Sequence, residues 1–281
     1  MKVLVTGVKG QLGYDVMKVL HKRKIDCLGA DIEEFDITDY AATEKFIKQY
    51  GPDAVVHCSA YTAVDKAEDN YDMCYAVNAE GPRNIAKVCR DIGAKMVYIS
   101  TDYVFPGIGD AAYEVDAPKQ PLSVYGKTKL AGEEAVQSLI SNYFIVRISW
   151  VFGKNGNNFI RTMLRLSENH PEVSVVSDQI GSPTYTADLA PLLCDMIETE
   201  KYGVYHATNE GYCSWADFAE AIFKAAGCST KVKHITTAEY PTRAVRPANS
   251  RMSKKSLDEG GFRRLPTWQD ALDRYLKEIE R

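Results

Sequence analysis

The stretch Ser123–Glu133, SVYGKTKLAGE, sets Tyr125 and Lys129 four residues apart, a spacing that a helix stacks on one face. A phenol is an acid and an ammonium a positive charge, so the pair could deliver a proton and hold an anion. An unperturbed tyrosine titrates at about 10, poorly matched to neutral pH, and a neighbouring cation favours its ionised form. A half-exposed helix with an ordinary tyrosine and a solvated lysine would read the same. Spacing alone does not separate the two, because Tyr14 and Lys18 in GYDVMK repeat it. The surroundings do. Upstream, Ser100–Phe105 (STDYVF) ends the apolar run KMVYIS, so Thr101 falls at the carboxyl end of a strand, where α/β sheets bind ligands. Its hydroxyl could donate to a developing alkoxide; a helix-capping threonine is the alternative.

A second constellation lies at the N-terminus. Gly7-Val8-Lys9-Gly10-Gln11-Leu12-Gly13 joins an apolar run to an amphipathic one. Gly7, Gly10 and Gly13 would allow a tight turn and let backbone N–H groups approach a pyrophosphate at a helix N-terminus. Asp31 follows about 20 residues on, where a carboxylate can accept from an adenosine ribose; a turn or cap aspartate is the plainer reading. No arginine directly follows the glycine motif or Asp31, so the pattern leans to NADH over NADPH.

These residues need a frame. Short β-branched runs (Lys2–Thr6, Asp26–Ala30, Ala54–Cys58, Lys95–Ser100, Phe144–Trp150) alternate with helical stretches (Gln11–His21, Tyr40–Tyr50, Asn78–Ile92, Tyr125–Ile140). Strict alternation predicts an α/β fold, a doubly wound parallel sheet of the Rossmann kind. Beyond Trp150 the rhythm loosens through NGNN, GSPTY, YPTRAVRP and LPTWQ, which predicts a smaller C-terminal substrate-binding lobe. The expected division is 1–152 for dinucleotide binding and 153–281 for the lobe, with 183–206 returning to the first part through a helix Asp188–Thr199 and a strand Val204–Ala207.

Bulk properties narrow the function classes. The 281 residues carry a net charge of −4, which argues against general nucleic-acid or anionic-membrane binding. No apolar run approaches the roughly 20 residues that span a bilayer, and MKVLVTGVKG does not read as a signal peptide. The seven cysteines are scattered and form no CxxC, which suits reduced thiols in a cytoplasmic protein. The five histidines form no cluster, and no metal is expected. Tyr240–Lys255 holds Arg243, Arg246, Arg251, Lys254 and Lys255 and no acid, a run suited to a diphosphate, since arginine forks match phosphate oxygens. Asn157, Asn158 and Gln179 offer neutral contacts, though a basic surface and polar loops would explain both groups.

The GxxGxxG spacing resembles that of short-chain dehydrogenase/reductases. The blocks GQLG, AYTAVDKAE (60–68), STDYVFPG (100–107), YGKTKLAGE (125–133), GNNFIRTML (156–164), DQIGSPT (178–184) and RPANSR (246–251) run in order through nearly the whole chain. Together they resemble the dTDP-4-dehydrorhamnose reductases of the extended superfamily. That resemblance implies reduction of a 4-keto sugar nucleotide by NADH or NADPH, with Thr101, Tyr125 and Lys129 catalytic. It implies cofactor contacts at Gln11, Leu12, Asp31, Asp36, Ile37, Ala60, Tyr61 and Thr62, with Tyr125 and Lys129 shared. Sugar contacts would fall to Thr101, Asp102 and Trp150, joined by Asn158, Arg246 and Arg251 from the readings above. Some members dimerise around magnesium held by glutamates; here Asp15 stands at the first such place and Ala187 at the second, with Asp188 one residue off, which predicts a metal-free monomer or weak homodimer. Dehydratases of this fold follow the threonine with Asp-Glu, whereas Tyr103 stands here. An epimerase would retain its dinucleotide. A non-catalytic subunit resembling the methionine adenosyltransferase β subunit would not need Thr101, Tyr125 and Lys129 together.

Overall fold

The computed structural model describes residues 1–279. In chain order its first half runs β1 (Lys2–Thr6), α1 (Gln11–Lys22), β2 (Asp26–Ala30), α2 (Tyr40–Tyr50), β3 (Ala54–His57), α3 (Val64–Ala67), α4 (Tyr71–Tyr75), α5 (Gly81–Ile92), β4 (Lys95–Thr101), α6 (Val124–Leu139) and β5 (Tyr143–Ile148). The second half runs β6 (Val151–Phe152), α7 (Phe159–Ser167), β7 (Glu172–Val176), β8 (Ile180–Gly181), β9 (Thr184–Tyr185), α8 (Thr186–Ile197), β10 (Gly203–His206), β11 (Cys213–Ser214), α9 (Trp215–Ala225), β12 (Lys231–Ile235), α10 (Lys255–Glu259) and α11 (Trp268–Ile279).

One six-stranded sheet has the order β10-β5-β4-β3-β1-β2, every pairing parallel. Its central strands are buried on both faces, which is why they read as continuous apolar runs. Side chains alternate between two cores. Val3 and Val5 join Leu12, Val16, Leu189 and Leu193 under α1 and α8, while Leu4 joins Ile47, Ile85, Val88 and Val136 under α2, α5 and α6. A third core, with Phe152, Phe218, Ile222, Trp268 and Tyr275, unites β6, α9 and α11 apart from the sheet. Strand β10 pairs with β5 and so lies at the edge of the main sheet.

Two elements differ from the periodicity reading. The helix expected over 78–92 begins at Tyr71 and passes through a π turn, Ala76–Glu80, before α5. There Asn78 accepts from the Tyr61 N–H (2.8 Å) and donates to the Tyr61 carbonyl (3.1 Å), a long-range tie that periodicity does not reveal. The strand expected through Trp150 stops at Ile148, because Trp150 takes a left-handed backbone (φ 50°) and turns the chain into β6.

Helix α6 is fixed to the sheet by a buried ion pair. Arg147 of β5 grips Glu133 through two bonds, Nε to Oε1 at 2.8 Å and Nη2 to Oε2 at 2.7 Å. Both side chains are essentially inaccessible to water. Arg147 also donates to the Val115 carbonyl (2.8 Å), and Ser100 Oγ donates to Glu133 (2.5 Å). Burial, with Arg147 adding, lowers His206 to about 3, so its ring is neutral at physiological pH. Neutral His206 donates from Nδ1 to the Ser253 carbonyl (3.1 Å), leaving Nε2 to accept from Arg147 (3.3 Å). Removing one partner strands the other charge. Arg147→Ala should lower unfolding stability by about 3–5 kcal/mol, read as a shift of the urea midpoint; a change within 1 kcal/mol would show the pair to be dispensable.

Candidate active site

Beyond the carboxyl ends of β1, β3, β4 and β5 opens a cleft of about 790 Å³. One end is the glycine turn. Gly7 has φ 72°, and a Cβ there would lie 2.7 Å from the Ser59 nitrogen; a Cβ on Gly13 would strike the Gly7 carbonyl. The turn is thus kept bare where backbone must approach a ligand, a cradle that suits a dinucleotide pyrophosphate. Gln11, Leu12, Asp31, Asp36, Ile37, Ala60 and Thr62 line the same end. Asp31 closes β2, where its carboxylate accepts from the Lys9 N–H (3.1 Å) and the Ile32 N–H (3.0 Å). Lys9, a cation inside the glycine motif rather than after it, also lines the cleft and reaches Glu33.

The other end gathers Thr101, Asp102, Tyr125, Lys129 and Trp150. Thr101 leaves β4 and caps a single 3-10 turn, accepting from the Tyr103 N–H (3.2 Å) and donating to Asp102 Oδ1 (2.9 Å). Ser123 caps α6 by accepting from the Gly126 N–H (3.1 Å), which sets Tyr125 on the first helical turn. Tyr125 packs edge-on against Tyr103, with Thr101 nearby. Burial pushes the Tyr125 phenol well above its ordinary pKa; the Thr101 bond opposes this, and Asp102 and Tyr103 add to it. Burial likewise lifts Asp102 to about 6, opposed by the nearby Ser250 hydroxyl and by the hydrogen bond from Thr101. One oxygen of Asp102, Oδ2, is buried without a partner.

Lys129 departs from the simple picture of an ammonium tuning a phenol. Its Nζ donates to the Ile99 carbonyl (2.6 Å) and lies 4.1 Å from the centre of the Tyr98 ring. Burial lowers it to about 7, with Glu133 opposing. A raised phenol is a protonated one, so Tyr125 holds its proton at neutral pH.

Several sequence candidates lie elsewhere. Tyr61 is not on the cleft wall; its backbone is tied to Asn78, while Ala60 and Thr62 face the opening. Asn158 is also off the wall, because it caps α7 and spends its amide on Gln11 (3.1 Å), the Gly153 carbonyl (3.1 Å) and Tyr275 (2.9 Å). Asn155 and Asn157 line the cleft instead. Three members of the basic run are paired, two with acids from distant segments and one within its own helix. Arg246 pairs with Asp65 (2.6 Å) and donates to Tyr103 (3.2 Å), Arg243 pairs with Asp69, and Lys255 reaches Glu259 (3.4 Å). Arg251 donates to Asn249 (3.0 Å) near the Tyr212 ring. Neither Arg246 nor Arg251 lines the cleft.

Trp215, which no local motif marks, stacks on Trp150 with ring centres 3.7 Å apart and 15° between planes. It opens α9 behind the Ser214–Asp217 capping box, and both indoles face the cleft. Tyr14 is exposed and Lys18 pairs with Glu278 (3.2 Å), so that pair is away from the cleft. Asp15 is buried against Thr186 (2.5 Å), and Asp188 is held by Arg274 (2.7 Å). Among the described residues no group of three or more His, Cys, Asp or Glu is placed to hold a metal ion.

Burial of Lys129 makes a signed prediction. Its folded pKa, about 7, lies below the unfolded value, so between these the unfolded chain binds more protons and stability rises with pH. Lys254, lowered by burial to about 8, contributes over an overlapping window. Lys129→Met should therefore reduce, without abolishing, the rise in urea midpoint between pH about 7 and 10; an unchanged rise would mean that Lys129 is not desolvated.

The RmlD substrate binding domain family model matches residues 1–281. A Bacillus subtilis spore coat polysaccharide biosynthesis protein, SpsK, is 41% identical over 277 residues, covering 99% of this chain and 97% of the relative. A Clostridium acetobutylicum structure described as a dTDP-4-dehydrorhamnose reductase superposes with a TM-score of 0.98 at 41% identity, covering 100% of both chains. A Bacillus anthracis dTDP-4-dehydrorhamnose reductase, solved in complex with NADP, gives 0.96 at 42% identity, covering 99% of each. With its parallel sheet, glycine cradle and Thr-Tyr-Lys cleft, the chain belongs to the RmlD substrate binding domain family, the dTDP-4-dehydrorhamnose reductase group of extended short-chain dehydrogenase/reductases.

Proposed function

We propose that this sugar-nucleotide reductase reduces the 4-keto group of dTDP-4-dehydro-L-rhamnose to dTDP-L-rhamnose with NADH or NADPH. The observation that carries the reading is one continuous cleft, with a bare glycine cradle at one end and the Thr101 and Tyr125 hydroxyls at the other. In this reading the division is 1–152 with 183–206 for the dinucleotide and 153–281 for the sugar nucleotide. The protein works in the cytoplasm as a monomer or weak homodimer; among the described residues no helix is long and apolar enough to cross a membrane.

The bound nicotinamide would supply the hydride. Tyr125, whose phenol keeps its proton at neutral pH, gives that proton to the carbonyl oxygen as it becomes an alkoxide. Thr101 donates to the same oxygen, which requires its hydroxyl to turn from Asp102. Lys129 holds ribose hydroxyls and, when protonated, favours the phenolate left behind. The Trp150–Trp215 stack walls the sugar, and the unpartnered Asp102 oxygen accepts from a sugar hydroxyl. Arg246 and Arg251 reach the diphosphate only by exchanging the partners they hold now.

Tyr125→Phe keeps the ring and removes the acidic hydrogen. NADH oxidation with dTDP-4-dehydro-L-rhamnose should fall about 10²–10⁴-fold, with NADH affinity retained. Near wild-type turnover would place the acid elsewhere. A second reading is a different 4-keto sugar nucleotide, since the 41% identical SpsK is named for spore coat polysaccharide biosynthesis and not for a substrate. A panel of 4-keto sugar nucleotides decides: the preferred substrate shows the highest kcat/KM, and failure with the rhamnose precursor alone would sustain the second.

A further inference from the structure

Helix α6 carries Tyr125 on its first turn, and that turn has two supports of different origin. Ser123, its own N-cap, accepts from the Gly126 N–H (3.1 Å). The Val124 N–H, one of the groups a helix leaves unpaired at its start, donates to Glu68 Oε1 at 2.9 Å, across 56 residues of chain. Glu68 directly follows α3, a helix of four residues that is too short to hold itself. The segment is fastened from the C-terminal half instead. Asp65 pairs with Arg246 (2.6 Å) and accepts from the Ala244 N–H (3.2 Å), and Asp69 pairs with Arg243. Arg246 also donates to Tyr103 (3.2 Å), whose ring meets Tyr125 edge-on with centres 5.4 Å apart. The α3 segment therefore reaches both members of the tyrosine pair, one through Glu68 and Val124, the other through Asp65 and Arg246.

The buried Glu133–Arg147 pair holds α6 about two turns beyond Tyr125. Helix ends fray where their N–H groups lack partners, so that pair fixes Lys129 and Glu133 more firmly than it fixes the first turn. The first turn is where precision counts, because a displacement of about 1 Å at a reacting group can cost about 10²-fold in rate. Glu68 does not itself line the cleft. Resting on the reading of Tyr125 as the proton donor, we propose that Glu68 is a positioning residue for catalysis. It holds the first turn of α6, and with it the Tyr125 hydroxyl, in place against the cleft, and it takes no part in cofactor binding. Its reach matters rather than its charge. A glutamine oxygen can accept from the same N–H, whereas an aspartate is one methylene too short.

Three variants separate reach from charge: Glu68→Gln, Glu68→Asp and Glu68→Ala. Each is measured for single-turnover oxidation of NADH by dTDP-4-dehydro-L-rhamnose and for NADH binding by nicotinamide fluorescence. Glu68→Asp and Glu68→Ala should slow the single turnover about 10–10²-fold, while Glu68→Gln stays within about threefold of wild type. NADH affinity should stay within about twofold in all three, since Lys129 and the glycine turn are held separately. Wild-type rates in the aspartate and alanine variants overturn the assignment. So does a glutamine variant as slow as alanine, which would make the charge the active feature, or a parallel loss of NADH affinity, which would make the effect a general loosening. In a Tyr125→Phe background, adding Glu68→Asp should slow the residual rate by less than about threefold, because the positioned group is already gone. Full additivity there overturns the proposed route. Near wild-type turnover by Tyr125→Phe alone would place the acid elsewhere, and the assignment falls with that reading.

Discussion

The buried pair of Glu133 and Arg147 governs the geometry of everything at the catalytic end. Tyr125, Lys129 and Glu133 follow one another at intervals of four on α6, so anchoring the last sets the rotation and depth of the first two. Glu133 is held by two nitrogens of a guanidinium whose own strand, β5, pairs with β4, the strand that delivers Thr101. One bidentate contact thus sets the phenol against the threonine across two elements. Burying these charges is unfavourable in itself, and the favourable return comes only because Ser100, Val115 and neutral His206 complete the hydrogen bonding. The same carboxylate is the largest influence keeping Lys129 protonated against its burial.

A second tie joins the two ends of the cleft. Gln11, inside the glycine motif, accepts from the Gly153 N–H (2.8 Å) and from Asn158, which in turn donates to Tyr275 of α11. The turn proposed for pyrophosphate is therefore hydrogen-bonded to the segment that follows Trp150. Trp150, in a left-handed backbone and stacked on Trp215, lies where the chain leaves the main sheet. Movement of α9 against the sheet would reach the cleft through that stack.

Much of the frame was legible because it rests on local signals. Valine-rich runs marked both-face burial, and β1, β2 and α2 occupy the residues that period and composition indicate. The cleft was legible wherever a motif carried its own geometry, as the glycine turn and the Tyr125–Lys129 face do. What escaped depends on partners distant in sequence. The run 240–255 contains no acid, yet Asp65 and Asp69 reach it from across the chain, and no count of local charge reveals that. Asn158 looked available until its cap and its three donations were seen together. Trp215 had no sign beyond its capping box, because stacking on Trp150 is a product of the fold.

The environment of Lys129 bears on how a tyrosine serves as an acid here. An ammonium next to a phenol would lower its pKa in the resting enzyme and favour early loss of the proton. Here Lys129 is occupied by the Ile99 carbonyl and the Tyr98 ring, while Thr101 and Tyr103 neighbour the phenol. The Thr101 hydroxyl has one proton, which it donates in a hydrogen bond to an ionised Asp102 at 2.9 Å. When Asp102 is protonated, Thr101 is released to donate elsewhere. Because burial sets Asp102 at about 6, the ionised arrangement prevails at neutral pH, and the phenol keeps its proton until a better acceptor arrives. In the proposed reaction a carbonyl gaining negative charge would be such an acceptor, which would tie proton transfer to arrival of the hydride.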